Sequence, residues 1–164
     1  MAELRGGQAF ESSLVSMSAR LSNAKEVRIG FLQESTYPDG KPVAMIAAIQ
    51  EFGAPSVGIP PRPFFRNMIS KKQGEWPAAI GNLLKANNYD ALRTLQLTGE
   101  AVAGQLRQSI VDTNDPPLAA STLRKRGVGG MVYNAKDAST FGAKPLVRTG
   151  HLLQSVDYEV KGHE

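Results

Sequence analysis

Cysteine is absent from this sequence of 164 residues, and histidine occurs only twice, at His151 and His163. The first absence excludes a disulfide scaffold and any cysteine-ligated zinc or iron–sulfur site. A catalytic nucleophile would have to be Ser or Thr served by a single histidine, and no G-x-S-x-G elbow occurs. Long apolar runs are missing too. The longest, Val43 to Ile49, falls far short of the ~20 residues needed to span a bilayer. The opening MAELRGGQAFESS has no apolar core of a signal peptide. The expectation is a protein in cytosol-like surroundings without membrane contact.

Metal and phosphate motifs are equally scarce. No H-x-x-x-H or D-x-D-x-D-G spacing occurs, and Asp157 and Glu159 fall on the polar side of a strand-like stretch. GVGGMVYNAK lacks both a preceding strand and the G-K-[ST] ending of a phosphate-binding loop. No cofactor is implied, and no convergent set of catalytic groups emerges. The reading is of a chain that is not an enzyme.

What is present is an ordinary apolar share of 41%, enough for one domain over residues 1–164 with a genuine core. The formal charge of +4 comes from 19 basic and 15 acidic residues, a mild excess that permits contact with acidic surfaces. Its tightest cluster is Arg124-Lys125-Arg126, so a dedicated nucleic-acid surface is the weaker reading.

Hydrophobic periodicity outlines the elements. Phe10, Leu14, Met17 and Leu21 recur on one face of a helix over Gln8–Asn23. Val27, Ile29 and Phe31 alternate as a half-buried strand, followed by the turn Tyr37-Pro38-Asp39-Gly40. Pro42 can open a helix that Gly53 closes. APSVGIPPRP is too proline-rich for a helix, and a helix from Phe64 should break near Trp76-Pro77. Asp90 caps the longest helix, Ala91–Asp112, whose stripe runs Leu95, Gly99, Val102, Leu106, Ile110. Gly99 costs about 1 kcal/mol relative to Ala, which suggests a close neighbour there. Ala119–Arg126 can form a short helix capped by Ser121. Thr149 can cap another through Leu153, and Val156, Tyr158 and Val160 alternate as a last strand. The order predicts an α+β fold: a small, mainly antiparallel sheet shared by first and last strands, packed against several helices.

Two segments stand out as contact surfaces. Arg62 and Arg66 flank Phe64 and Phe65 beside a rigid proline run, a good anchor because little entropy is lost on binding. Residues 113–144 lack periodicity, so the expectation is a long mobile loop that orders on assembly. It would offer Leu118, the basic run Arg124-Lys125-Arg126, Tyr133 and Phe141 to partners.

VAMIAAIQEFGAPSVGIPPRPFFRNMI resembles the signature stretch of tailed-bacteriophage virion-morphogenesis proteins, the tail-completion or neck group that joins head to tail. The pattern E-[FY]-G followed by I-P-x-R-P-F-[FL]-R falls on Glu51, Phe52, Gly53, then Ile59, Pro60, Arg62, Pro63, Phe64, Phe65 and Arg66. PLAASTLRKRG resembles the family's P-L-x-x-[ST]-T-L-x-x-[KR] element, and KPLVRTGHLLQSVDYEV its K-P-L-[IV]-x-T-G close. Together these cover about Val27 to Val160 in the same order. One position departs: Arg148 stands where members often carry an acidic residue. The resemblance implies a non-enzymatic virion part, made in the host cytoplasm and built into the neck as a homo-oligomeric ring. Its partners would be connector or head-completion proteins and tail-terminator or tail-tube proteins, with non-specific contact to genomic DNA in the lumen. A different class also fits the residues, a nucleic-acid-binding accessory protein using Arg124–Arg126 near Tyr133.

Overall fold

A computed structural model describes residues 7–125 and 144–162. Helix α1 (Gly7–Leu21) leads into strand β1 (Glu26–Phe31), then α2 (Val43–Phe52) and a single 3-10 turn at Pro55–Val57. Helices α3 (Phe64–Lys72), α4 (Trp76–Ala86), α5 (Ala91–Asp112) and α6 (Ala120–Lys125) follow. After residue 143 come the short α7 (His151–Gln154) and β2 (Val156–Lys161). The fold is α+β, with β1 and β2 paired antiparallel.

The sheet has two unlike faces because its side chains alternate. Val27 lies opposite Val160, Ile29 opposite Tyr158 and Phe31 opposite Val156, so six apolar residues share one face. The other carries Glu26, Arg28, Asp157 and Glu159, all exposed. There Arg28 sits 2.8 Å from Glu26 and 3.9 Å from Glu159, a solvated cluster of the kind worth little to stability.

Helix α5 packs against the apolar face. Asp90 opens it as expected, its carboxylate accepting a hydrogen bond from Arg93 N at 2.9 Å. Gly99, Val102, Leu106 and Ile110 of the expected stripe are buried, and Leu95 is half-buried. Thr94 and Thr98 are buried as well, with their hydroxyls donating to the carbonyls of Asp90 and Thr94 one turn back. The close neighbour anticipated at Gly99 is Tyr158. A Cβ at that glycine would lie 2.7 Å from Tyr158 Cγ and 3.0 Å from Val27 Cγ2.

The core joins Val43 and Ala47 of α2, Phe64 and Met68 of α3, and the inner face of α5 to Leu146, Val147, Leu152 and Val156. Polar ties cross it: Arg107 Nη2 donates to Val156 O at 2.6 Å and Ser109 Oγ to Phe64 O at 2.6 Å. Trp76 Nε1 donates to Gln105 Oε1 at 3.0 Å and holds α4 on α5. The break expected near Trp76-Pro77 is the junction between α3 and α4.

Three expectations change. Residues 113–125 are not a mobile loop: Arg62 donates to the carbonyls of Pro116 and Pro117, and α6 buries Leu123. At the far end of that segment, Lys144 Nζ reaches Val111 O at 3.0 Å, and residues 126–143 lie outside the described residues. The caps differ as well. Ser121 falls inside α6, and α7 is opened by Gly150 in the left-handed region (φ 75°), with Thr149 Oγ1 accepting from His151 N at 3.3 Å. Finally, α1 forms but packs none of its residues into the core.

Replacing Gly99 with Ala tests the close approach to Tyr158. Ala is the better helix former by about 1 kcal/mol, yet forcing a methyl group into a packed contact costs ~1–3 kcal/mol. A lower midpoint in urea unfolding is therefore expected, and a higher one would show that the ring yields freely.

Candidate interaction surface

The end of α2 is locked to the start of α3 by one buried carboxylate. Helix α3 follows Pro63, which has no side-chain oxygen to cap it, so its first amides need acceptors from elsewhere. Glu51, 5% exposed, supplies them. Its carboxylate accepts from Phe65 N at 2.9 Å, Arg66 N at 3.1 Å and Arg66 Nε at 2.8 Å. A negative charge at a helix N-terminus also complements the helix dipole. Arg66 completes the lock by donating to Glu51 O at 3.1 Å, while its guanidinium lies 4.9 Å from the centre of the Phe52 ring.

Gly53 makes the geometry possible. It adopts φ 77°, and a Cβ there would meet Pro61 N at 2.8 Å and Ile59 O at 2.9 Å. The returning chain then places Arg62 N on Gln50 O at 2.7 Å. The Arg62 side chain continues inward, 5% exposed, with Nε on Pro116 O at 3.0 Å. Its other contacts are Gln50 Oε1 and Pro117 O, both at 3.4 Å. Among the described residues its hydrogen-bond partners are all neutral oxygens, and burial pulls its pKa below the usual guanidinium value.

The anticipated contact segment therefore divides. Phe64 is a core residue, 1% exposed and edge-on to Phe31 at 6.2 Å, and Arg62 is an internal staple. Neither can reach a partner, because the carboxylate lock turns this part of the segment inward. Phe65 is half-buried over Gly30, and Arg66 keeps 57% of its side chain exposed. Leu118 is half-buried, and Arg124 and Lys125 are exposed on α6. Arg126, Tyr133 and Phe141 lie outside the described residues.

The periodicity reading missed a second surface. On the outer side of α2, Met45 and Phe52 are 46% and 65% exposed, and Val57 beyond it is 69% exposed. Beside them runs an open apolar groove of about 310 Å³, with Ile29 and Phe31 on one side, Ala44 and Ala48 on its floor, and Phe52 and Phe65 at its end. A signal for it exists in VAMIAAIQEF, which is apolar almost all round, more than a helix with one buried face requires.

Another cleft, about 530 Å³, lies between the Tyr37–Lys41 turn and α7 and is lined by Tyr37, Lys41, Gln50, Arg148, His151 and Gln154. His151 is half-buried there, not exposed: a ring nitrogen lies 3.0 Å from Thr36 O, and its ring sits 4.6 Å from that of Tyr37. Those contacts tie α7 to the turn, which accounts for the histidine structurally. Burial, with Asp39 nearby, raises the pKa of the Tyr37 phenol.

Comparison with protein-family models, with curated proteins and with solved structures finds no match for this chain.

Two substitutions separate the halves of the lock. Glu51→Gln removes charge-assisted hydrogen bonds, each worth about 1.5–3 kcal/mol, and should lower unfolding free energy by about 2 kcal/mol in urea titration. Arg62→Ala should raise amide exchange of Leu118–Lys125 by about tenfold, since that segment loses its tether to α2. Unchanged exchange would mean that α6 is held by other contacts.

Proposed function

We propose that this chain is a structural virion protein of a tailed bacteriophage, acting in tail completion or head–tail joining as one subunit of a ring around the DNA channel. The observation that carries the reading is where the family-like residues fall. Glu51, Gly53, Arg62 and Arg66 are the working parts of one lock. That lock sets the open apolar side of α2 beside the groove. Contiguous apolar surface of this kind suits a subunit whose faces are covered by neighbours. The KPLVRTGHLL stretch fits the same picture, placing Leu146, Val147 and Leu152 in the core before β2 closes the sheet.

In this reading the neighbours are further copies of the chain, connector or head-completion proteins on one side, and tail-terminator or tail-tube proteins on the other. Contact with DNA in the lumen is non-specific. The protein is assembled in the host cytoplasm and resides in the neck of the particle. No helix among the described residues is long and apolar enough to cross a membrane.

The exposed Arg124 and Lys125 favour one other reading, a nucleic-acid-binding accessory protein. Imaging of particles carrying a labelled copy decides between the two. Density between connector and tail tube, with weak DNA binding by the isolated protein, is expected. Absence from the particle, together with DNA binding that weakens steeply as salt rises, would replace the neck reading with the accessory one.

A further inference from the structure

Helix α1 is the least explained part of the fold. Among its described residues none is buried, and Phe10, Leu14 and Leu21 of its apolar stripe are 67%, 48% and 41% exposed. A single helix of about 15 residues is marginal in water even with favourable composition. This one carries four serines, at positions 12, 13, 16 and 18, which lower its propensity further. Met17, the remaining stripe residue, is half-buried where α1 approaches α5, and among the described residues nothing covers Phe10 or Leu14.

The tether explains why. Asn23, just after α1, donates from Nδ2 to Asp90 Oδ1 at 3.2 Å and accepts from Leu92 N at 2.8 Å through Oδ1. Two residues on, Lys25 N donates to Lys161 O at 3.0 Å. The connector is thus pinned to the N-terminal end of α5 and to the far end of the sheet. The groove lies at the opposite end of β1, beside Ile29 and Phe31. From that fixed root α1 runs about 22 Å at 1.5 Å per residue, and the element it approaches is α5.

Among the described residues the chain therefore carries a largely uncovered apolar helix and an apolar groove with no residue of α1 in its lining. We infer that α1 of one copy docks in the α2–β1 groove of the next, making a head-to-tail contact between identical subunits. The groove suits that occupant. Its floor carries the small side chains Ala44 and Ala48, its lining is apolar apart from Glu51 and Arg66, and its volume of about 310 Å³ accepts the Phe10 ring with a neighbouring aliphatic side chain. Charge agrees as well: Glu11, beside Phe10, is the one acidic residue of α1 among the described residues, and the exposed Arg66 lines the groove. A symmetric pairing of α1 with α1 would cover the helix but leave the groove and the α2 surface open. The heterologous contact covers both at once, and such contacts close into rings when the rotation between subunits allows. This deepens the assembly reading above and rests on it for its biological setting.

Sedimentation velocity on the full chain tests the contact through complementary variants. The unaltered protein should self-associate as concentration rises. Leu14→Glu spoils the helix stripe and Ala48→Glu spoils the groove floor. Both positions are exposed, and each change should weaken self-association at least tenfold with unchanged circular dichroism. Ala44→Glu replaces Ala48→Glu if the latter disturbs the fold. Mixed together, the two variants should form a heterodimer and nothing larger, since one retains an intact groove and the other an intact helix. A mixture that stays monomeric, or an unaltered chain that is monomeric at every concentration reached, overturns the proposal. Because this measures self-association alone, it can fail while the chain is still found in the particle neck, and it can succeed if the chain is absent from there.

Discussion

One buried carboxylate organises the half of the molecule that faces outward. Glu51 ends one helix and begins another, meeting the amides that Pro63 leaves without a cap. A desolvated acid is costly unless its lone pairs are filled, and here two amides and a guanidinium fill them. Everything nearby follows from that closure. Phe64 is turned into the core, Arg66 is drawn across Phe52, and the outer side of α2 is set at a fixed angle to β1. Arg62 extends the same rigidity to the turn at Pro116 and Pro117.

The interior of the molecule depends in turn on α5. Gly99 lets Tyr158 approach the helix axis, and Thr94 and Thr98 satisfy their hydroxyls within the helix. A two-stranded sheet is marginal by itself. Here it is stabilised because six alternating apolar side chains have a long helix to lie on. The outward face is polar and exposed except at Gly30, where Phe65 lies over it, so most of the burial falls on the side facing α5.

How much of this was legible in the sequence varied with the range of the interactions involved. Period-two and period-four spacing placed both strands and α5, and Gly53 and Asp90 marked helix ends, because those signals are local. Gly99 in α5 announced a close neighbour but not its identity. The fate of the I-P-x-R-P-F-F-R segment was not legible, since whether Arg62 points out or in depends on carbonyls more than fifty positions later. The same limit hid the anchoring of residues 113–125. It also misjudged α1, where an amphipathic pattern promises a buried face but does not say against which chain. The exposed side of α2 left a trace in its unbroken apolar composition, a trace that periodicity counts overlook.

The pairing of β1 with β2 has a kinetic consequence. These strands come from far-separated parts of the chain, so the sheet cannot form until synthesis has passed Lys161. Contacts of such long sequence separation also slow folding, because the intervening loop must close first. Until then Val27, Ile29 and Phe31 have no opposite strand, and Ile29 and Phe31, which line the groove, are held only from one edge. A chain cut short before Val156 thereby keeps the groove's lining residues but loses the strand that fixes β1 in place.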